Sequence, residues 1–336
     1  MGRSVTLKDV AEHAGVSRTT ASYVVMGTGR VSEKTRRRVQ ESMTTLGYVY
    51  NQGAAALRRQ TGTTVGVVVT NIDNPFFGEL LVGLESTLTE AGFLSLVVTT
   101  ADDPARQAQL LRALREHQVA GLAIVPATGT TPQDLAEFQG WGIPHVLMTR
   151  YLPEIDAPYV GPDDRLGGRL AADHLLDLGC GSLAYIGGSS AVMSRLDRMR
   201  GVEEAAEGRG VTVLDVPSET SGEGGRRVGA GLLARPRLPE GIVCHSDTVA
   251  MGLYRALRDA GKAEGVRVVG YDDIATAELW YPSLTSVSTD AAGMGRRAGE
   301  SLLQVLTGAA STVESSVIVP RLIVRESSGA GPQPPS

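Results

Sequence analysis

Gly15 is the residue that most restricts how the start of this chain can fold, because it divides one apolar helical pattern into two short ones. Thr6-x-x-Asp9 is a capping-box start, after which Leu7, Val10, Ala11 and Ala14 recur on one face. Gly15 then offers the positive φ of a sharp turn, and Ser17 caps a second helix whose Ala21, Val24 and Val25 face inward. Gly27 and Gly29 end that pattern. A third helix starts after Ser32, buries Val39, Met43 and Leu46, and stops at Gly47. A small Ala11 at the helix crossing, four residues before Gly15, has the spacing of a helix-turn-helix. The outward residues Arg18, Thr19, Ser22 and Tyr23 at the start of its second helix would then project into a DNA major groove.

From Val65 onward the texture changes. Short β-rich runs at 65–69, 94–99, 122–125 and 146–148 alternate with amphipathic helical stretches. A second series follows at 183–186, 211–216, 242–245 and 266–271, with helices such as 164–178 and 248–260 between. Alternation of this kind predicts two doubly wound, Rossmann-like α/β lobes. The expected organisation is an all-α headpiece at 1–50, a hinge helix and linker at 51–63, and a body at 64–327. Within the body, one lobe takes about 64–162 and 289–320 and the other about 163–288 and 321–327. The polar, turn-rich 328–336 is expected to be a disordered tail.

Charge separates the parts. Residues 1–60 hold ten Lys and Arg against four acids, leaving 22 and 33 for the rest, so a head of +6 precedes a body of −11. A polyanion partner is therefore expected at the head alone. Two cysteines far apart, Cys180 and Cys244, imply neither a disulfide framework nor a zinc site, and fit a reducing cytoplasm. No run has the length of a signal peptide core or a membrane span.

The segments VTLKDVAEHAGVSRTTASYVV, GRVSEKTRRRV, LGYVYN and AAALRR closely resemble the headpiece of the lactose-repressor/galactose-repressor (LacI/GalR) family. The likeness continues through NIDNPFF at 71–77, the 198–201 segment, VVGYDDI at 268–274, LTSV at 284–287 and RLIVRES at 321–327. It implies a DNA-binding transcription regulator with a periplasmic-binding-protein-like body, two lobes joined by three crossovers and a small molecule between them. By position, Lys8, Ser17, Arg18, Thr19, Ser22 and Tyr23 would face DNA, while Arg30, Ser32, Thr35 and Asn51 would mainly meet its backbone. In the hinge, Leu57 would wedge between bases from the minor groove with Arg58 beside it. Tyr23 stands where many relatives have Arg or another polar base reader, and Ala21 replaces a larger β-branched residue, so no relative's operator transfers to this chain.

Effector contacts implied by the resemblance are Phe76, Arg150, Ser194, Arg198, Ser246 and Asp272, at carboxyl ends of strands or in the loops beyond them. Phe76 offers a stacking face, and Arg198 and Asp272 offer directional hydrogen bonds to a sugar or a nucleobase. Phe77 is read as core and Asp247 as a helix cap. Ser246 replaces an Asn, and Thr149 an acid, found in some sugar-responsive relatives.

A repressor controlled by a sugar or sugar derivative is the expected function; a purine-like co-repressor and an activator are the alternatives. An enzyme is not expected, since no nucleophile elbow, phosphate-cradling glycine loop or metal-spaced histidine pair occurs, and no cofactor or metal is called for. The expected partners are double-stranded operator DNA, the small molecule and a second copy of the chain, paired headpieces matching two half-sites. A tetramer is not expected, because no leucine heptads follow the body.

Overall fold

A computed structural model describes residues 5–25, 28–48 and 62–329; residues 1–4, 26–27, 49–61 and 330–336, which include the expected hinge helix and the tail from 330 on, lie outside the described set. The chain divides into two compact units at Gly62 and Thr63.

In the first unit, α1 (Leu7–His13) begins in a reciprocal cap. The Asp9 N–H donates to Thr6 Oγ1 at 3.3 Å and the Thr6 N–H to Asp9 Oδ2 at 2.8 Å. The second helix, α2 (Arg18–Val25), starts with the Thr20 N–H donating to Ser17 Oγ at 3.0 Å. Ser32 caps α3 (Glu33–Leu46), which ends at Gly47 with φ of 62°. Val10, Ala11, Ala14, Ala21, Val24 and Val39 form the small core, with Met43 and Leu46 packed at its margin. Small residues let the helices approach closely. His13 Nδ1 lies 3.0 Å from Ser42 Oγ and so ties α1 to α3.

The second unit holds two six-stranded sheets. The first comprises β1 (Thr64–Val69), β2 (Leu94–Thr99), β3 (Gly121–Ile124), β4 (His145–Met148), β5 (Tyr159–Pro162) and β11 (Ser316–Ile318), ordered β11-β5-β4-β3-β1-β2 and parallel throughout. Its helices are α4 (Pro75–Glu90), α5 (Pro104–Glu116), α6 (Pro132–Gln139) and α12 (Ala291–Leu306). The second sheet comprises β6 (Leu183–Ile186), β7 (Val213–Val216), β8 (Gly241–Cys244), β9 (Arg267–Asp272), β10 (Thr285–Ser288) and β12 (Arg321–Ile323), in the order β12-β10-β9-β8-β6-β7. Only β12 runs antiparallel to its neighbour. Around it lie α7 (Asp164–Asp177), α8 (Met193–Glu207), α9 (Gly222–Leu233), α10 (Asp247–Asp259) and the short α11 (Thr276–Leu279). The chain passes between the sheets after β5, β10 and β11, which is three crossovers.

Strands β1, β3, β6 and β8 are buried almost end to end, as expected where helices cover both faces. Helices α7 and α8 meet backbone to backbone. A Cβ on Gly168 would collide with the Arg198 carbonyl, and one on Gly201 with the Arg165 carbonyl. That close seam sets where α8 carries Arg198.

Three expectations are corrected. Strand β7 starts at Val213 rather than 211, because the Val211 N–H donates to the Ala206 carbonyl and closes the end of α8. Asp247 is not a cap: Ser246 Oγ takes the Val249 N–H, and buried Asp247 accepts from Ser286 Oγ at 2.6 Å and the Ile274 N–H at 2.9 Å. Ser328, assigned to the tail, is fully buried, with its hydroxyl 2.9 Å from both Thr285 Oγ1 and His174 Nε2.

Candidate functional site

On the headpiece, Ala21 and Val24 turn into the core, which leaves Arg18 with Ser22, and Thr19 with Tyr23, as neighbouring pairs one turn apart on the outer side of α2. Arg18 and Thr19 are exposed, Ser22 is half-buried and Tyr23 is 43% exposed. The Tyr23 ring lies on Gly29, where a Cβ would come within 3.0 Å of ring carbon; the positive φ of 75° at Gly29 also favours glycine. Lys8 is exposed with Glu12 at 3.6 Å, and Arg30 is exposed. Ser17, Ser32 and Thr35 already serve the fold, since Ser17 and Ser32 cap helices and Thr35 Oγ1 lies 2.9 Å from Ser32 Oγ. Asn51, Leu57 and Arg58 lie outside the described residues.

Between the two lobes of the body is a cavity of about 370 Å³, walled by residues at the carboxyl ends of strands from both sheets. Phe76, Arg150, Ser194, Arg198, Ser246 and Asp272 all line it. Ser246 contributes while serving as the N-cap of α10. The Phe76 ring stands edge-on to Phe77, with centroids 5.3 Å apart, and Phe77 both lines the chamber and belongs to the core.

Arg198 is the most constrained group. Its Nε donates to Asp164 Oδ1 at 2.7 Å, its Nη1 donates to the His245 carbonyl at 2.7 Å, and its guanidinium carbon sits 3.6 Å from the Tyr271 ring centroid. The Tyr271 hydroxyl completes the cluster by donating to Asp164 Oδ1 at 3.0 Å. Burial holds the Asp164 carboxyl above its ordinary range against the pull of Arg198. For Arg198, burial opposes the charge, but Asp164 and the surrounding groups overcome it and hold the guanidinium charged.

Asp272 ends β9 with φ of 106°, outside the range most side chains adopt, and its carboxylate enters the chamber. Asn74 Nδ2, from the other lobe, donates to its Oδ2 at 3.5 Å. Burial pushes the Asp272 carboxyl up to about 7, with Arg198 pulling the other way. Nearby His245 faces the Tyr185 hydroxyl at 2.8 Å, and burial followed by the charges of Arg198, Arg150 and Arg195 drives its imidazole well below the ordinary value.

Opposite these groups, Arg150 Nη1 donates to Asp102 Oδ1 at 2.6 Å and to the Pro126 carbonyl at 3.0 Å. Thr128 anchors Asp102 through its N–H at 2.8 Å and its hydroxyl at 2.7 Å. Sequence reasoning passed over Asp102, Thr128 and His245, which line the chamber, whereas Asn74, also on its wall, falls within the 71–77 segment marked beforehand. The same strand-end rule would have found Asp102 and Thr128, which follow β2 and β3. Among the described residues, no group of three or more His, Cys, Asp or Glu could hold a metal ion, and no helix is long and apolar enough to cross a membrane.

Comparison with known proteins gives a consistent picture. A model of bacterial regulatory proteins of the lacI family matches residues 6–51, and a periplasmic binding protein-like domain matches 172–328. The HTH-type transcriptional regulator DegA of Bacillus subtilis strain 168 is 33% identical over 331 residues, covering 96% of this chain and 97% of DegA. A structure of the Lac repressor dimer bound to operator and the anti-inducer ONPF has the same fold: the TM-score is 0.86 over 97% of this chain and 99% of that one, at 24% identity. The transcriptional regulator CelR–cellobiose complex gives a TM-score of 0.71 at 30% identity, with 96% and 99% covered.

Proposed function

The chain belongs to the lacI family of bacterial regulatory proteins, and from that premise we propose that it represses transcription by binding an operator through α2, under control of a sugar held between the lobes. The observation that carries the sugar reading is the chamber itself. It presents Arg198, Asp272, Asn74 and Ser246 as closely spaced donors and acceptors beside the Phe76 ring, which is the pairing of directional hydrogen bonds and an apolar face that a pyranose or furanose requires. The cellobiose complex of CelR supports the same ligand class.

On the headpiece, Arg18 and Tyr23 read base edges, with Lys8 and Arg30 meeting phosphates. The operator-bound dimer of the Lac repressor supports a homodimer on a two-fold operator. The hinge, with Leu57 as an apolar wedge and Arg58 beside it, transmits lobe movement to the headpieces. Leu57→Ala is expected to weaken operator binding strongly while leaving sugar affinity intact, and full operator affinity in that variant would remove Leu57 from the contact.

Operator selection from random duplexes, repeated with and without a panel of sugars, tests the whole reading. A selected near-palindrome whose affinity changes with one sugar is the expected result, and Asp272→Asn should lose that response while keeping the affinity of the unliganded protein. Failure to enrich any sequence would overturn the DNA-binding assignment. Enrichment without any sugar response would overturn the effector assignment alone.

A further inference from the structure

Arg150 and Arg198 are the two arginines among the described lining of the chamber, where burial keeps His245 uncharged, and each is paired with a carboxylate. Arg150 is held by Asp102 at 2.6 Å. Arg198 has Asp164 at 2.7 Å, a carboxylate buried together with it. Glu219, the remaining acid on the wall, pairs with Arg227 at 3.1 Å. We propose that the chamber takes an uncharged, hydroxyl-rich ligand and rejects phosphorylated or carboxylated counterparts, with Asp102 as the residue that sets this preference. This rests on the reading that the chamber holds the chain's sugar.

Asp102 is built into place. Ala101 and Asp102 adopt φ of 53° and 60° in succession, a left-handed turn that alanine enters only at a steric cost. The Asp102 N–H donates to the Thr70 carbonyl and to Thr100 Oγ1, both at 3.2 Å, and Thr128 holds both carboxylate oxygens. The result is a carboxylate fixed on the guanidinium that would otherwise be the first-lobe cation of the chamber.

An entering phosphate would need donors carrying uncompensated positive charge, and would meet the fields of Asp102, Asp272 and Glu219. Helix N-termini also favour anions, but those of α4, α9 and α10 are closed by the side chains of Asn74, Ser221 and Ser246. Among the described helices whose N-caps line the chamber, α8, with Val192 as N-cap, has no side-chain cap and leaves that attraction unopposed. A hydroxyl both donates and accepts, so the Arg150–Asp102 pair, with the Arg198 and Asp272 side chains that also line the chamber, suits it without any net charge transfer into the chamber.

The test is calorimetric titration of the full-length protein with matched pairs: glucose and glucose 6-phosphate, ribose and ribose 5-phosphate, galactose and galacturonate. Binding of a neutral member, with its charged counterpart at least about 100-fold weaker, is expected. Asp102→Asn frees Arg150 and should narrow that ratio to about tenfold or less, with saturable binding of inorganic phosphate that the double variant Asp102→Asn/Arg150→Gln loses. Asp102→Glu keeps the charge and should keep the preference; melting curves establish that each variant is folded. A charged sugar binding the wild type as tightly as its neutral partner would overturn the proposal while leaving the sugar reading intact. So would an unchanged ratio in a folded Asp102→Asn protein. Absence of binding by every sugar, charged or neutral, would instead overturn the sugar reading, and this proposal with it.

Discussion

The Tyr151 hydroxyl, in the loop after β4 of the first lobe, donates to Asp197 Oδ2 on α8 of the second at 2.6 Å, joining the two lobes. Burial, and then the hydrogen bond and charge of Asp197, raise the phenol above its ordinary value, so it remains a donor. Another bond between the lobes runs from the Ala275 N–H to Glu79 Oε1 at 3.0 Å. Removing one such bond to a half-exposed carboxylate is worth about 1 kcal/mol. Tyr151→Phe should therefore lower the stability of the unliganded protein by about 1 kcal/mol in urea unfolding. Unchanged stability would show that the bond contributes nothing to holding the lobes together.

Arg198 is predicted to matter for stability as well as for binding. Its removal leaves the Asp164 carboxylate buried, and Asp164 Oδ2 already lacks a hydrogen-bond partner. Arg198→Met should cost about 3–5 kcal/mol in urea unfolding of the protein. In the double variant Asp164→Asn/Arg198→Met, part of that loss should be recovered, because the stranded charge is gone. Additive losses would mean that the pair is not coupled.

A pH effect follows from Asp272. Its carboxyl sits at about 7 in the folded protein because of burial, whereas the unfolded chain has the ordinary value of 3.8. Between those values the folded state holds a proton that the unfolded state has lost, so this group's contribution to stability falls as pH rises and is gone above about 7. His245 acts in the opposite sense: its folded value lies well below 6.5, so acidification through 6.5 protonates the unfolded state first and lowers stability. The useful quantity is therefore wild type minus Asp272→Asn. That difference should favour the wild type by about 2 kcal/mol more at pH 5.5 than at pH 8, measured by chemical unfolding without ligand. A flat difference would refute the assignment.

Arg18 and Lys8 should separate base reading from backbone contact. Arg18→Ala is expected to relax specificity at one operator position at a cost of about 1–3 kcal/mol, whereas Lys8→Ala or Arg30→Ala should weaken all sequences alike and reduce the salt dependence. Binding measured over single-base operator variants decides between them. Uniform weakening by Arg18→Ala would place that residue on the phosphates.

Much of the fold was legible because its signals are local. Thr6, Ser17 and Ser32 act on N–H groups three residues away, Gly15 and Gly47 sit at positive φ, and the core face of each headpiece helix follows its own periodicity. The buried strands of the body announced themselves as apolar runs bounded by turns. Strands β5, β11 and β12, with four, three and three residues, are too short to carry a period, and their pairings join segments far apart, as where β11 lies against β5.

Strand-end positions such as Phe76, Arg150 and Asp272 could be marked along the chain, since ligands of open α/β sheets gather at carboxyl ends. What those residues are to one another was decided only in three dimensions. Asp102 and Arg150 stand 48 residues apart and Asp164 and Arg198 stand 34 apart, yet each pair meets within 2.7 Å. Sequence spacing determines which face of a helix or strand a residue occupies, whereas Coulomb attraction and desolvation depend on distance and burial in space. The charge of the chamber, and the elevated carboxyl of Asp272 within it, therefore belong to the folded protein and to no segment of the chain.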